Sequence, residues 1–239
     1  MTRLFGALAI LALTTLAGCA TQGPVQLDRS YWEHKPQSVG VVIAVMPPAG
    51  TLKMGNQGLL DVAINDAMAD QLTKHLRSLS MDQFRESSQV IATFFTKQGV
   101  AAKVIPADLD LKALPKVQQV TDGFATRDYA GLKAKYGVDQ LVVLEVQAAG
   151  TIRNYYGFIP TGAPQGYFSC RGSLIDLSNN KLLWTAVGVQ TVPIEKPWDQ
   201  PSDSYPNVTT AFYRALEGAK TMMVSNLLST APAPLTSAR

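Results

Sequence analysis

The sequence predicts an α/β domain, α+β-like in its order: a single mixed β-sheet with antiparallel hairpins and helices packed mainly on one face. Three observations predict it. An unbroken apolar run at 39–46 reads as a buried strand, helical stripes follow it and close the chain, and two β-rich stretches flank a short polar turn in the last third.

The first strand is Val39-Gly40-Val41-Val42-Ile43-Ala44-Val45-Met46, stopped by Pro47-Pro48. A glycine-containing loop (Gly50, Gly55, Gly58) leads into a helix in which Leu60, Ile64, Met68, Leu72, Leu76 and Leu79 recur at helical spacing, the stripe of a helix lying on a core. Asp66, Asp70 and Lys74 occupy its other side, with Asp70 and Lys74 ordered for an i,i+4 ion pair. A second helix is predicted over 81–97, with Phe84, Ile91, Phe94 and Phe95 on one side and Gly99 as its stop. Residues 101–105 read as a short strand ended by Pro106. The stretch 107–123 is loop-rich, with Leu109, Leu111 and Leu114 capping the core, and 127–136 is a short helix closed by Gly137.

The clearest β region follows. Residues 140–148 are rich in Val and Leu, and 151–159 are β-branched and aromatic, so two strands are expected there. Residues 167–177 and 181–192 flank Ser178-Asn179-Asn180, where Asn tolerates positive φ and closes an antiparallel hairpin. Trp184 follows the inward alternation of that hairpin. Val208, Phe212, Leu216, Ala219, Met223 and Leu227 mark a C-terminal amphipathic helix.

The ends supply an address. Arg3 gives a positive start, residues 4–16 are apolar, and Ala17 and Gly18 are small, as a processed export signal requires. The apolar stretch is shorter than the roughly 20 residues that span a bilayer. Leu16-Ala17-Gly18-Cys19 resembles the lipobox of bacterial lipoproteins, in which the cysteine is acylated and becomes the first residue. Each buried CH₂ of an acyl chain contributes about 0.8 kcal/mol, so two or three chains give durable attachment. Ala20 stands where an Asp favours inner-membrane retention in enteric bacteria, so the anchor resembles an outer-membrane one, with the domain in the periplasm. The expected organisation is a signal over 1–18, lipidated Cys19 and a tether over 19–38, the α/β domain over 39–229, and a disordered tail over 230–239. Tyr31 and Trp32 are the aromatic exceptions in the tether and are expected to pack on the domain.

Charge and chemistry exclude more than they assign. The net charge of +3 carries no basic run, so nucleic acid is not an expected partner. With Cys19 used by the anchor, Cys170 has no partner within the chain and reads as a small buried hydrophobe. His34 and His75 lack ligands at metal spacing, and Asp108 and Asp110 sit in a stretch without the glycine and terminal Glu of a calcium loop. The loop at 50–58 has no Gly-Lys-Ser/Thr ending, and no Gly-x-Ser-x-Gly elbow is present. No catalytic residue, metal or cofactor is expected. The two aromatic, Gly- and Pro-rich loops at 154–164 and 196–201 supply the candidate partner-binding residues Tyr155, Tyr156, Phe158 and Trp198, either as contact anchors or as covers of the sheet edge.

Three segments carry a family resemblance. They are Trp32 with the Val39–Pro48 strand; Tyr136-Gly137-Val138-Asp139-Gln140-Leu141-Val142-Val143; and Gly172-Ser173-Leu174-Ile175-Asp176-Leu177 with Lys181-Leu182-Leu183-Trp184-Thr185. Together they resemble bacterial lipoproteins whose α/β domain is similar to the TolB N-terminal domain and to the curli-secretion lipoprotein CsgG. Asn179-Asn180 stands where that family often has Thr-Gly, and long amphipathic strand pairs for a CsgG-type barrel are lacking. The resemblance implies a role supporting assembly, secretion or transport through envelope proteins, with no catalytic residues to carry over. A ring-forming homo-oligomer is compatible with that role. The alternative is a small-molecule-binding or enzymatic domain with a cleft at the carboxyl ends of its strands.

Overall fold

A computed structural model describes residues 23–195, 197–199 and 204–232. The signal, Cys19, the first residues of the tether and residues 233–239 of the tail therefore lie outside the described residues. A 3-10 turn at Arg29–Trp32 precedes β1 (Ser38–Ile43), β2 (Gly50–Asn56), α1 (Leu59–Met68), α2 (Asp70–Ser78) and α3 (Asp82–Lys97). Then come β3 (Ala101–Val104), α4 (Gly131–Tyr136), β4 (Gln140–Tyr156), β5 (Ile159–Pro160), β6 (Gln165–Asp176), β7 (Leu182–Pro193) and α5 (Pro206–Leu228).

The strands form one mixed sheet, as the sequence predicts, and its central order is β3-β1-β4-β6-β7. β1 lies parallel to β3 and β4, whereas β4, β6 and β7 run antiparallel through the hairpin whose Asn180 has φ 62°. β1 is buried on both faces, which is why it reads as a continuous apolar run. The two strands expected at 140–148 and 151–159 are instead one, β4. Its start pairs with β1 and its end, from Gly150, pairs with β2 along the same edge. A register shift between Val146 and Ala148 twists the strand between its two partners. The loop expected at 50–58 is thus largely strand β2.

One sheet face carries the main core. Phe84, Ile91 and Phe95 of α3 and Val208, Phe212, Leu216, Met223 and Leu227 of α5 pack over Val142, Leu144, Phe168 and Leu174. α5 sits unusually close to the strands. A Cβ at Gly188 would lie 1.9 Å from the Ala219 carbonyl oxygen, so only glycine at this point of β7 allows the approach. Trp184 is fully buried beside it, its indole N–H donating to Asn226 Oδ1 at 2.8 Å. The other face is covered over β1, β4 and the end of β6 by α4 and the coil before it, through Leu109, Ala125, Tyr129 and Leu132 on Val42, Leu141, Val143 and Ile175. Tyr31 and Trp32 are buried, with Tyr31 Oη donating to Gln140 Oε1 (2.8 Å) and Trp32 Nε1 to the Thr230 carbonyl (2.8 Å).

The largest departure concerns the helix expected from Leu60 to Leu79. It breaks at Ala69 (φ −95°, ψ 5°) into α1 and α2. Leu72 and Leu76 reach the core, but Leu60, Ile64 and Met68 are exposed. The cause is a competing set of attachments. Asn65 is buried and donates to Gln57 Oε1 (2.9 Å) and the Gly157 carbonyl (3.3 Å), while Asp66 pairs with Lys53. These contacts bind α1 to β2 and the end of β4 rather than to the core beneath α2.

Candidate functional site

β2, the end of β4, β5 and α1 form an arm that extends from the sheet. Its backbone is set by parallel pairing from Gly50↔Gly150 to Asn56↔Tyr156, reinforced by a Thr51–Thr151 hydroxyl contact of 2.9 Å. β5 folds back on Tyr155 and Tyr156. The arm gathers large apolar side chains in solvent: Leu59 (94 % exposed), Leu60 (73 %), Met68 (74 %) and Tyr156 (73 %), with Met54, Phe158 and Ile159 around them. Single exposed apolar residues are ordinary, but this many on one short arm point to a contact surface.

The four aromatic candidates divide here. Tyr156 and Phe158 are exposed on the arm, as a contact anchor must be. Tyr155 is not: strand alternation turns it inward, and it is buried. Trp198 is half-buried and stacks against the guanidinium of Arg153, 4.7 Å from its ring centroid, while Tyr155 lies 5.7 Å from the same group. Arg153 Nε also donates to the Gly162 carbonyl at 2.8 Å, so one arginine ties both aromatic loops to β4. Lys196, Gln200 and Pro201 of the second loop lie outside the described residues.

At the root of the arm, Thr51, Asn65, Leu72, Arg153, Tyr155 and Trp198 line a cavity of about 510 Å³. Tyr205 lies at its edge, its hydroxyl pKa raised by burial and by the charge of Asp199. His75 is half-buried, its Nε2 2.8 Å from Thr209 Oγ1, and burial lowers its pKa. Thr209 Oγ1 in turn donates to the Tyr205 carbonyl at 3.1 Å, so this hydroxyl is tied into helix α5. Among the described residues no group of three or more His, Cys, Asp or Glu is placed to hold a metal. Also among the described residues, no helix is long and apolar enough to cross a membrane. Cys170 is buried on β6 and its thiol is pushed up to about 12 by burial.

Sequence reasoning missed the arm because it assigned Leu60, Ile64 and Met68 to the core. The available signal was the adjacent pair Leu59-Leu60, which cannot both lie on one narrow helical stripe.

No protein-family model and no curated protein matches the chain. Similar solved structures include a PelC dodecamer from Paraburkholderia phytofirmans, at 12% identity over 90% of this chain and 99% of that one, with a TM-score of 0.36. The DUF330 protein XCC0632 from Xanthomonas campestris is 13% identical over 88% of this chain and 96% of its own, with a TM-score of 0.39. Lipoprotein GNA1162 from Neisseria meningitidis is 18% identical over 65% of this chain and 84% of its own, with a TM-score of 0.24. Likenesses this loose carry no role across to this chain, and the TolB and CsgG resemblance rests on its short motifs alone.

Proposed function

We propose that this chain is a lipid-anchored accessory protein of the bacterial cell envelope that supports assembly, secretion or transport by binding other proteins, without catalysis. The lipobox-like Leu16-Ala17-Gly18-Cys19 supports the anchor, and Ala20 after it supports the outer membrane, with the domain in the periplasm. The observation that carries the binding role is the apolar surface of the arm, with Leu59, Leu60 and Met68 exposed on α1 and Tyr156 exposed at the end of the β2–β4 pairing. Such a surface gains stability by meeting a complementary apolar one, from another envelope protein or from a second copy in a ring.

Leu60→Asp with Tyr156→Ala tests this. Both positions are exposed, so folding stability stays within about 0.5 kcal/mol. Membrane crosslinking of the wild type is expected to capture a defined set of envelope proteins or a homo-oligomer, and the double variant is expected to lose it. Unchanged capture by the folded double variant would sink the arm as the contact surface.

A second reading rests on the cavity at the arm's root, whose volume of about 510 Å³ lies in the range of small-ligand sites. A metabolite thermal-shift screen in which no compound raises the melting temperature would remove it.

A further inference from the structure

The segment before β1 is stitched to the sheet very near the anchoring cysteine. Val25 N–H donates to Thr185 Oγ1 (2.7 Å), Thr185 N–H donates to the Val25 carbonyl (2.9 Å), and Thr185 Oγ1 donates to the Gly23 carbonyl (3.4 Å). Only Ala20, Thr21 and Gln22 lie between Cys19 and Gly23. Four Cα–Cα steps reach at most about 14 Å. With the Thr185–Gly23 hydrogen bond added to that reach, acylation of Cys19 keeps Thr185 within roughly 20 Å of the anchored residue.

Beside Thr185, on the sheet face opposite α3 and α5, a recess of about 290 Å³ opens between Lys112, Arg127, Tyr129, Glu145 and Arg171. Three cations thus face one carboxylate. Glu145 and Arg171 are register partners on β4 and β6, yet they are not among the ion pairs of the described residues. Arg171 Nε is buried without a hydrogen-bond partner, a costly state for a charged donor unless a ligand completes it. Burial raises the pKa of Glu145, and the charge of Arg171 opposes that rise. The same row continues to Val187 on β7, the register partner of Arg171, which is exposed as is Val189. Cations in a recess with apolar side chains at its rim match a phosphate joined to a lipid body.

We propose that this recess seats the phosphate of a phospholipid headgroup from the bilayer that holds Cys19, with Arg171 and Arg127 as its donors. Arg127 Nη1 is already held by the Leu114 carbonyl at 2.9 Å, which orients the guanidinium and leaves its other N–H groups for the phosphate. The inference rests on the anchoring reading above and adds the face that meets the membrane.

The test uses the full chain in bacterial membranes labelled with [32P]phosphate. A benzophenone amino acid replaces either Thr126, exposed at the recess, or Thr210, exposed on α5 behind the sheet. After irradiation, free lipid is extracted, the label that stays with the protein and is released by phospholipase is counted, and the mass of the N-terminal peptide reports acylation. Phospholipid adduct is expected at position 126 and not at 210. Arg171→Gln and Arg127→Gln are each expected to reduce it at least fivefold, and Glu145→Gln to increase it, with protein level and acylation unchanged. Equal adduct at both positions, or adduct at 126 indifferent to both arginine substitutions, overturns the inference. Acylated Cys19 with no adduct at 126 overturns it while leaving the anchor standing, whereas an unacylated Cys19 overturns both.

Discussion

Replacing Gly150 with alanine tests whether the arm is a rigid extension of the sheet. Gly150 has φ 131°, a conformation open to glycine and strained for other residues, at a cost of about 1–3 kcal/mol. The new Cβ would also lie 2.0 Å from the Gly50 carbonyl oxygen and 2.8 Å from its nitrogen, where β2 begins to pair with β4. Backbone cannot swing aside as a side chain does, so overpacking adds about 1–3 kcal/mol. If the whole strain reached the native state, the loss would be about 2–6 kcal/mol, or at least 4 °C at roughly 2–4 °C per kcal/mol for a domain this size. The chain has a cheaper escape, which is to release β2 and α1 from β4. Gly150→Ala is therefore expected to lower the melting temperature and to expose residues 50–68 to limited proteolysis. Gly162→Ala, with nothing within 4 Å of the new methyl group, is the control and is expected to change neither. A Gly150→Ala protein that melts within a degree of wild type, with 50–68 still protected, would refute the reasoning about that contact.

Two further outcomes follow from buried and paired groups. Arg85 donates to both oxygens of Asp108 (2.6 and 2.8 Å), and this bond holds the Asp108 carboxyl below the usual carboxylate range. A depressed carboxylate pKa adds stability that is present above the unfolded value and lost as pH falls through the folded one. Asp108→Asn is thus expected to cost up to about 1 kcal/mol at pH 7, with the urea midpoints of variant and wild type converging as pH falls below the usual carboxylate range. Cys170, its thiol pushed up to about 12 by burial, is expected to resist alkylation at pH 8 until the protein unfolds. Because the chain has two cysteines, one alkylated thiol on unfolding fits an acylated Cys19, and two would argue against the anchor.

The sheet and its main helices were legible because their residues obey local periodicities. Val39 to Ile43 is apolar on both faces and is buried on both, and the Phe84, Ile91 and Phe95 spacing marks the face that α3 turns inward. The arm was illegible for a physical reason: Leu60, Ile64 and Met68 repeat the spacing of Leu72 and Leu76, and spacing says which side is apolar, not what covers it. The split of 140–148 from 151–159 fails for a related reason: Gly150 between them lies inside one strand, where the backbones of β2 and β4 approach closely. Of the aromatic loops, composition identified Tyr156 and Phe158, but only strand alternation shows Tyr155 turned inward. The Glu145–Arg171 strand register and the Arg153–Trp198 contact depend on a register shift and a loop path, neither of which leaves a local pattern.

Trp32 bonds to the Thr230 carbonyl across 198 positions of sequence, and Val25 to Thr185 across 160. Contacts this distant form late, because the chain between them must first be ordered. While the polypeptide is still being made, residues 23–32 have none of these partners, and the domain is open at its leading end. Residues 23–32 can close onto the domain only in steps, first when Thr185 has been made and then when Thr230 has. Under the export proposed above, the leading segment would stay unpaired through most of its passage, because its partners lie 160 and 198 positions later in the chain.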